Sequence, residues 1–388
     1  MNLYVHFPFC RRKCSYCALY SRVGSSADAR RQYIESIRVA LESIRVNQES
    51  IRVDVGSDGV LSPQTIYFGG GSPALCDLTP LRDALHALFD PISTEFTVEL
   101  HPLDVTSAKL DELKSIGVNR ISMGVQSLDD ATLRAMGRGY TTDDAARAFA
   151  LVKSRFDNAG IDLILGYPDD PTATNAEALL APLANWGLRH CSVYSLQNER
   201  GLKNVPDDDT VLDGIRAASR FLKSIGLSRY EISNYAAPGF ECRHNLAVWR
   251  GEDYIGLGDG AYGRIGLVRT RNWWGQSPIF STKRRDAASP SQHPPKTGGL
   301  SPASGQKTGG LSPAFETVSE ENDEKERVIF RLRTIEGLDA AKHPEWIPTL
   351  ERFVGDGLLR RRNDTDHPVY ALTERGTEVC DAILEEII

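Results

Sequence analysis

The chain has 388 residues, of which 41% are hydrophobic and 25% charged, a composition that supports a large buried core and excludes a disordered or fibrous chain. Its formal net charge of −7 argues against a nucleic-acid binder that works by neutralising phosphates. No apolar run approaches the roughly 20 residues of a membrane-spanning helix, and Met1–Phe9 lacks the basic start and apolar stretch of a secretion signal, so the expectation is a cytoplasmic protein, at most peripheral to the inner membrane.

Short β-branched and aromatic runs alternate with longer helical patterns. Strands are expected at Leu3–Phe7, Thr65–Phe68, Glu95–Leu100, Arg120–Gln126, Ile161–Leu165 and His190–Leu196. Between them, helices are expected at Asp28–Val53, Leu78–Phe89, Ser107–Ile116, Asp129–Met136, Thr142–Phe156 and Ala176–Trp186, with another at Asp208–Ile225. Alternation of this kind means parallel strands with right-handed crossovers. Six repeats predict an α/β fold, an open or partial (β/α)6 barrel, with its chemistry at the C-terminal strand ends.

Two stretches are tandem repeats. Glu35-Ser-Ile-Arg-Val39 recurs at Glu42–Val46 and Glu49–Val53, a period of seven residues. A coiled-coil seam is one reading; without strong d-position leucines, the better one is a first barrel helix extended beyond the body. Lys296–Ala303 recurs at Lys307–Ala314 within a stretch rich in Pro, Gly and Ser, which predicts a low-complexity linker over 287–315. Beyond it, a helix at Glu324–Thr334, the segment Trp346–Leu359, a short strand near Tyr370 and a last helix suggest an α+β, winged-helix-like domain over 316–388. The competing reading is a helical cap on the barrel.

Three of the seven cysteines crowd the N-terminus as Cys10-Arg-Arg-Lys-Cys14-Ser-Tyr-Cys17, directly after the first strand. In a reducing compartment such a cluster reads as metal-binding or catalytic, whereas Cys76, Cys191, Cys242 and Cys380 read as buried small hydrophobes. Three thiolates on one loop can hold three irons of a [4Fe–4S] cluster and leave the fourth open to a small chelator. A structural zinc protein is the alternative, with His6 or a distant cysteine as fourth ligand. Lys13 and the neighbouring arginines are expected to lower the thiol pKa values. Phe68-Gly-Gly-Gly-Ser-Pro73 ends the second strand, and consecutive glycines there allow a ligand close to the backbone.

The triplet resembles the signature of radical S-adenosylmethionine (SAM) proteins. Its context, Tyr4-Val-His-Phe-Pro-Phe-Cys10, is similar to the opening of the oxygen-independent coproporphyrinogen III oxidase family and of its relatives, the HemW-type heme chaperones. The resemblance runs from Leu3 to about Gly263 and resumes near Glu326. It implies a radical-SAM barrel over residues 1–226 that carries a [4Fe–4S] cluster on Cys10, Cys14 and Cys17. It also implies SAM contacts from Tyr4, Gly70, Gly71, Ser72, Glu99, Gln126, Arg138 and Asp162. In that chemistry SAM chelates the open iron, and an electron from an outside donor cleaves its sulfonium bond to a 5′-deoxyadenosyl radical.

Two departures favour the heme-chaperone branch. The oxidases carry a fourth cysteine where this chain has Leu19, and a longer segment than nine residues before Cys10. A third feature is Arg243-His-Asn-Leu-Ala-Val-Trp249, similar to a chaperone stretch associated with heme, within a barrel-closing segment over 227–286. The resemblance implies heme contacts from His244, Asn245 and Trp249, with His244 as axial ligand. Val248 replaces a tyrosine of that pattern, and Tyr262 stands where relatives often have histidine. The expected function is therefore a heme chaperone that passes heme to acceptor apoproteins such as respiratory cytochromes, without coproporphyrinogen oxidase activity. A radical SAM enzyme of porphyrin biosynthesis is the first alternative.

Overall fold

The computed structural model describes residues 1–46, 63–272, 314–362 and 367–388. The expected alternation forms as six strands: β1 (Asn2–Phe7), β2 (Thr65–Gly70), β3 (Glu95–Leu100), β4 (Arg120–Gln126), β5 (Ala159–Leu165) and β6 (His190–Ser195). Each pairs in parallel with the next. The intervening helices are α1 (Ala27–Val46), α2 (Arg82–His86), α3 (Ser107–Ser115), α4 (Asp130–Met136), α5 (Thr142–Lys153) and α6 (Thr172–Leu180), and α7 (Asp208–Ser224) follows β6. Side-chain oxygens fix where several of them start. Thr106, Asp129, Thr141 and Asp207 each accept from the backbone N–H three residues on, and Asp144 closes a capping box with Thr141.

Period-two alternation then separates two faces. Leu3, Val5 and Phe7 of β1, Ile66 and Phe68 of β2, and Ile121, Met123 and Val125 of β4 are buried in the main core with the helices. The alternate residues, among them Tyr4, Tyr67, Thr97, Ser122, Asp162 and Ser192, leave a polar lining. A solid barrel core would be filled by branched apolar chains instead.

The sheet continues beyond the six strands. After β6 come β7 (Ser228–Arg229) and β8 (Asn234–Ala236), then α8 (Arg243–Trp249), β9 (Tyr254–Leu257), β10 (Tyr262–Ile265), β11 (Val268–Arg271) and β12 (Ala314–Thr317). The order is β12-β11-β10-β9-β1-β2-β3-β4-β5-β6-β8-β7. Strand β9 runs parallel to β1, with Tyr254 beside Asn2, and so adds a seventh parallel strand that the sequence pattern does not reveal. The two sheet ends do not pair, so the barrel is open, as expected.

Three boundary expectations change. Helix α1 does not project from the body over its first two repeats: Ile37 and Ile44, with Leu41 between them, are fully buried in the main core. The third repeat, Glu49–Val53, lies outside the described residues. Ala314 and Phe315, placed in the linker by composition, instead begin β12, where Arg271 pairs with Ala314; the remainder of the linker also lies outside the described residues.

At the C-terminus, α9 (Glu320–Leu332) starts earlier than expected, because Ser319 caps it and Glu320, Glu321 and Asp323 complement its N-terminal dipole. After it come β13 (Leu338–Asp339), α10 (Ile347–Gly355), β14 (Leu359–Arg362), β15 (Val369–Leu372), α11 (Glu374–Glu378) and α12 (Cys380–Ile387). The three strands form a separate antiparallel sheet in the order β13-β15-β14. A second core of Val328, Leu332, Leu350, Phe353, Tyr370 and Ile383 holds this unit together. Arg216 reaches from α7 to Glu378 at 2.7 Å, and Arg229 donates to Thr377 Oγ1 at 2.7 Å, joining it to the barrel.

Candidate cofactor and ligand site

The three cysteines are free and half-buried on the loop after β1. The loop is held against the end of β2 by backbone bonds: Gly71 N–H donates to Phe7 O and Ser72 N–H to Phe9 O, both at 2.7 Å. Gly71 has no room for a side chain. A Cβ there would lie 2.5 Å from Phe9 O and 2.9 Å from Cys10 Sγ. Gly70 adopts φ +105, and its α-carbon faces the His6 ring.

Lys13 is committed to Ser21 Oγ and the Leu19 carbonyl. The expected lowering of thiol pKa does not hold at Cys10: burial pushes it up, and Lys13 only partly opposes that. The cation that touches a thiol is Arg138, whose Nη1 lies 3.4 Å from Cys14 Sγ. Its Nη2 donates to Gly124 O at 2.7 Å and its Nε to Tyr140 OH at 2.9 Å. Burial disfavours the charge of Arg138, but Tyr140, Tyr16 and Cys14 outweigh that and raise its pKa.

Several expected SAM contacts converge on this end of the barrel. Glu99 accepts from Tyr67 OH at 2.8 Å and from Gly70 N–H at 3.0 Å. Burial, reinforced by the charge of Asp162, pushes its carboxyl up to about 7. Gln126 has φ 74 at a bulge where β4 slips against β5. Tyr4 and Asp162 are not at strand ends; they sit midway along β1 and β5. Tyr4 OH bonds His6 Nδ1 at 3.0 Å, and Asp162 accepts from Ser122 Oγ at 3.0 and 3.1 Å. Ser72 hydroxyl donates to Asp104, which also pairs with Arg11 at 2.6 Å, so Ser72 helps to fasten the cysteine loop.

His6 is engaged at both nitrogens, by Tyr4 OH at 3.0 Å and by Tyr20 O at 2.9 Å. Among the described residues, no group of three or more His, Cys, Asp or Glu side chains is gathered to hold a single metal ion. Cluster thiolates each take a different iron and stand further apart than the ligands of one ion, so the donor set fits a cluster better than zinc.

A cavity of about 2090 Å³ is lined by Cys17 and Leu19 of the cysteine loop, by Tyr4 and Glu99 of the barrel, and by His244, Asn245 and Trp249. Val248 and Tyr262 also line it; Tyr262 is 56% exposed, with Arg271 stacked over its ring. The N-terminus of α8 is seated on Glu95, which accepts the backbone N–H of both Arg243 and His244 at 3.1 Å. His244 is only 5% exposed, and its ring packs against Tyr67 with centroids 5.1 Å apart. Burial, followed by the charge of Arg120, lowers its pKa to about 3, so the imidazole is neutral. Trp249 packs edge-on against Phe330, and Arg333 lies over its ring.

Sequence reasoning missed Tyr67, Tyr16, Tyr140 and Asp104 as partners of the site. Strand register brings Tyr67 beside Tyr4, whereas Tyr16 and Tyr140 arrive through Arg138 and Asp104 through Ser72 and Arg11.

An open parallel sheet carrying a cysteine triplet after β1 and a glycine turn after β2 defines a radical SAM domain, and the Radical SAM superfamily model matches residues 4–179. The chain is 33% identical to the heme chaperone HemW of Synechocystis sp. over 294 residues, covering 70% of this chain and 69% of that one. It is also 33% identical to HemW of Bacillus subtilis, covering 70% and 73%, and 31% identical to HemW of Escherichia coli, covering 68% and 70%. The chain belongs to the HemW heme chaperone family. Among solved structures, coproporphyrinogen III oxidase (HemN) from Escherichia coli, a radical SAM enzyme, shares the fold with a TM-score of 0.71 and 20% identity, covering 99% of this chain and 89% of that one.

Proposed function

We propose that this chain binds heme in the cavity beside His244 and transfers it to acceptor apoproteins, respiratory cytochromes among them, while the cysteine loop carries a [4Fe–4S] cluster with SAM. The observation that carries this reading is one continuous cavity, about 2090 Å³, that joins the cysteine loop to a buried neutral histidine. Drug-sized ligands fill about 300–1,000 Å³, so the cavity has room for SAM and a tetrapyrrole together.

The residues divide the work by position. Cys10, Cys14 and Cys17 would hold the cluster, and Arg138 would balance thiolate charge beside Cys14. Tyr4, Gly70, Gly71, Ser72, Glu99, Gln126, Arg138 and Asp162 would position SAM, with Glu99 able to hold or release a proton near neutral pH. His244 would ligate heme iron, with Asn245 and Trp249 flanking the macrocycle. A bound cluster supplies one-electron chemistry, which requires an electron donor outside the chain. No helix among the described residues is long and apolar enough to cross a membrane; we place the protein in the cytoplasm.

An anaerobic heme titration of cluster-reconstituted protein tests the reading. Saturable binding near one heme per chain is expected, weakened in His244→Ala with the cluster's absorbance unchanged. Absence of specific binding would overturn it. Formation of 5′-deoxyadenosine dependent on coproporphyrinogen would favour an oxidase instead.

A further inference from the structure

A histidine can ligate iron only through a nitrogen that bears a lone pair, and a neutral imidazole has one such nitrogen. Which one it is depends on what the other ring nitrogen meets. Nδ1 of His244 meets Thr65 Oγ1 at 2.8 Å, at the first residue of β2. Thr65 is 1% exposed, so water does not compete for that bond.

The hydroxyl of Thr65 has a single hydrogen, and a second bond already uses it. Thr65 Oγ1 donates to Asn2 Oδ1 at 2.8 Å. Asn2 has its carbonyl oxygen toward Thr65 because its amide nitrogen is engaged on the other side, donating to Asp253 O at 3.2 Å and Glu252 Oε2 at 3.3 Å. Asn2 is itself buried, and β1 and β2 place it directly opposite Thr65 in the register. With its hydrogen spent on Asn2, Thr65 can only accept from His244.

We infer that Thr65, oriented by Asn2, is a positioning residue that holds the hydrogen of His244 on Nδ1 and leaves Nε2 with the lone pair for an axial iron ligand. The backbone assists: His244 N–H donates to Glu95, which seats the first turn of α8 and sets the direction of the ring. This is the outer-shell arrangement by which ligating histidines are fixed in one tautomer and one orientation. The inference rests on the reading of His244 as heme ligand, but the tautomer itself is a property of the heme-free protein.

The test uses full-length, cluster-reconstituted protein with ¹⁵N-labelled histidine. The ring signals of His244 are assigned by their loss in His244→Ala. Before heme is added, the wild type and Thr65→Ser should show the Nδ1–H tautomer, and Thr65→Val should shift toward Nε2–H. Heme affinity should fall about 10-fold or more in Thr65→Val, the size expected for loss of an outer-shell partner, and Thr65→Ser should restore it. An Nε2–H signal in the wild type would overturn the inference without any variant. Wild-type affinity in Thr65→Val, with affinity lost in His244→Ala, would overturn the inference and spare the ligand reading. Wild-type affinity in His244→Ala would overturn both.

Discussion

Glu99 takes a proton far more readily than a free glutamate, because burial and then the charge of Asp162 disfavour its carboxylate by more than the hydrogen bonds from Tyr67 and Gly70 favour it. Its carboxyl moves from an ordinary 4.5 to about 7 on folding. The folded state therefore binds more protons than the unfolded state between those values, and stability falls as pH rises through that window. Glu231, raised to about 7 by its own burial, adds to the same slope. In protein free of cluster and SAM, Glu99→Gln is expected to flatten the decline in Tm between about pH 5 and 7 and to raise Tm at pH 7 by about 2 °C or more. Gln keeps an acceptor for Gly70 N–H and sheds the buried charge. An unchanged slope in thermal melts would show that Glu99 does not hold this proton.

At the scale of elements, the cysteine loop is shaped by the strand beside it as well as by its own residues. Gly71→Ala would press a methyl group into Phe9 O and Cys10 Sγ. After reconstitution, less than half the wild-type iron and acid-labile sulfide is expected, with far-UV circular dichroism unchanged. Full iron content would show that the loop docks independently of β2. In α1, Ile44 belongs to the core, so Ile44→Ala should cost about 2–4 kcal/mol in denaturant unfolding, whereas a projecting helix would lose almost nothing.

The same scale shows what the sequence made readable. Six strands are visible because apolar alternation is a local signal, and four of the barrel helices start just after a capping Thr or Asp. Strand β9 is hidden, because Tyr254-Ile-Gly-Leu leads into Gly-Asp-Gly and reads as a turn; only its register against β1 makes it a strand. The cysteine triplet and glycine turn are motifs of neighbouring residues and stand out. Tyr67 and Thr65 are single polar residues in a strand, 177 to 179 positions from His244, and their role depends on packing alone. Ile37 and Ile44 misled for the opposite reason, since a seven-residue repeat suits a projecting helix as well as a buried one.

For the whole molecule, the β11–β12 ladder joins positions far apart in the chain: Arg271 and Ala314 are partners across it. Closing a loop costs little more as it lengthens, about 0.6 kcal/mol per doubling. Replacing 287–313 with a short Gly/Ser turn should therefore leave Tm within about 3 °C of wild type, and leave cluster and heme binding intact by absorbance. Loss of either would mean that the segment contributes to the site.

That hairpin root also bears on how the chain varies by descent. Length between two paired strands is uncoupled from the registers on either side, so a copying slip that adds or drops one eleven-residue period, Lys296–Ala303 with the Ser-Gly-Gln that follows, changes the gene without shifting a residue of the barrel. The two copies at Lys296–Ala303 and Lys307–Ala314 have the form expected of such slippage. Related strains are expected to differ in copy number there while the ladder at Val268–Arg271 stays the same.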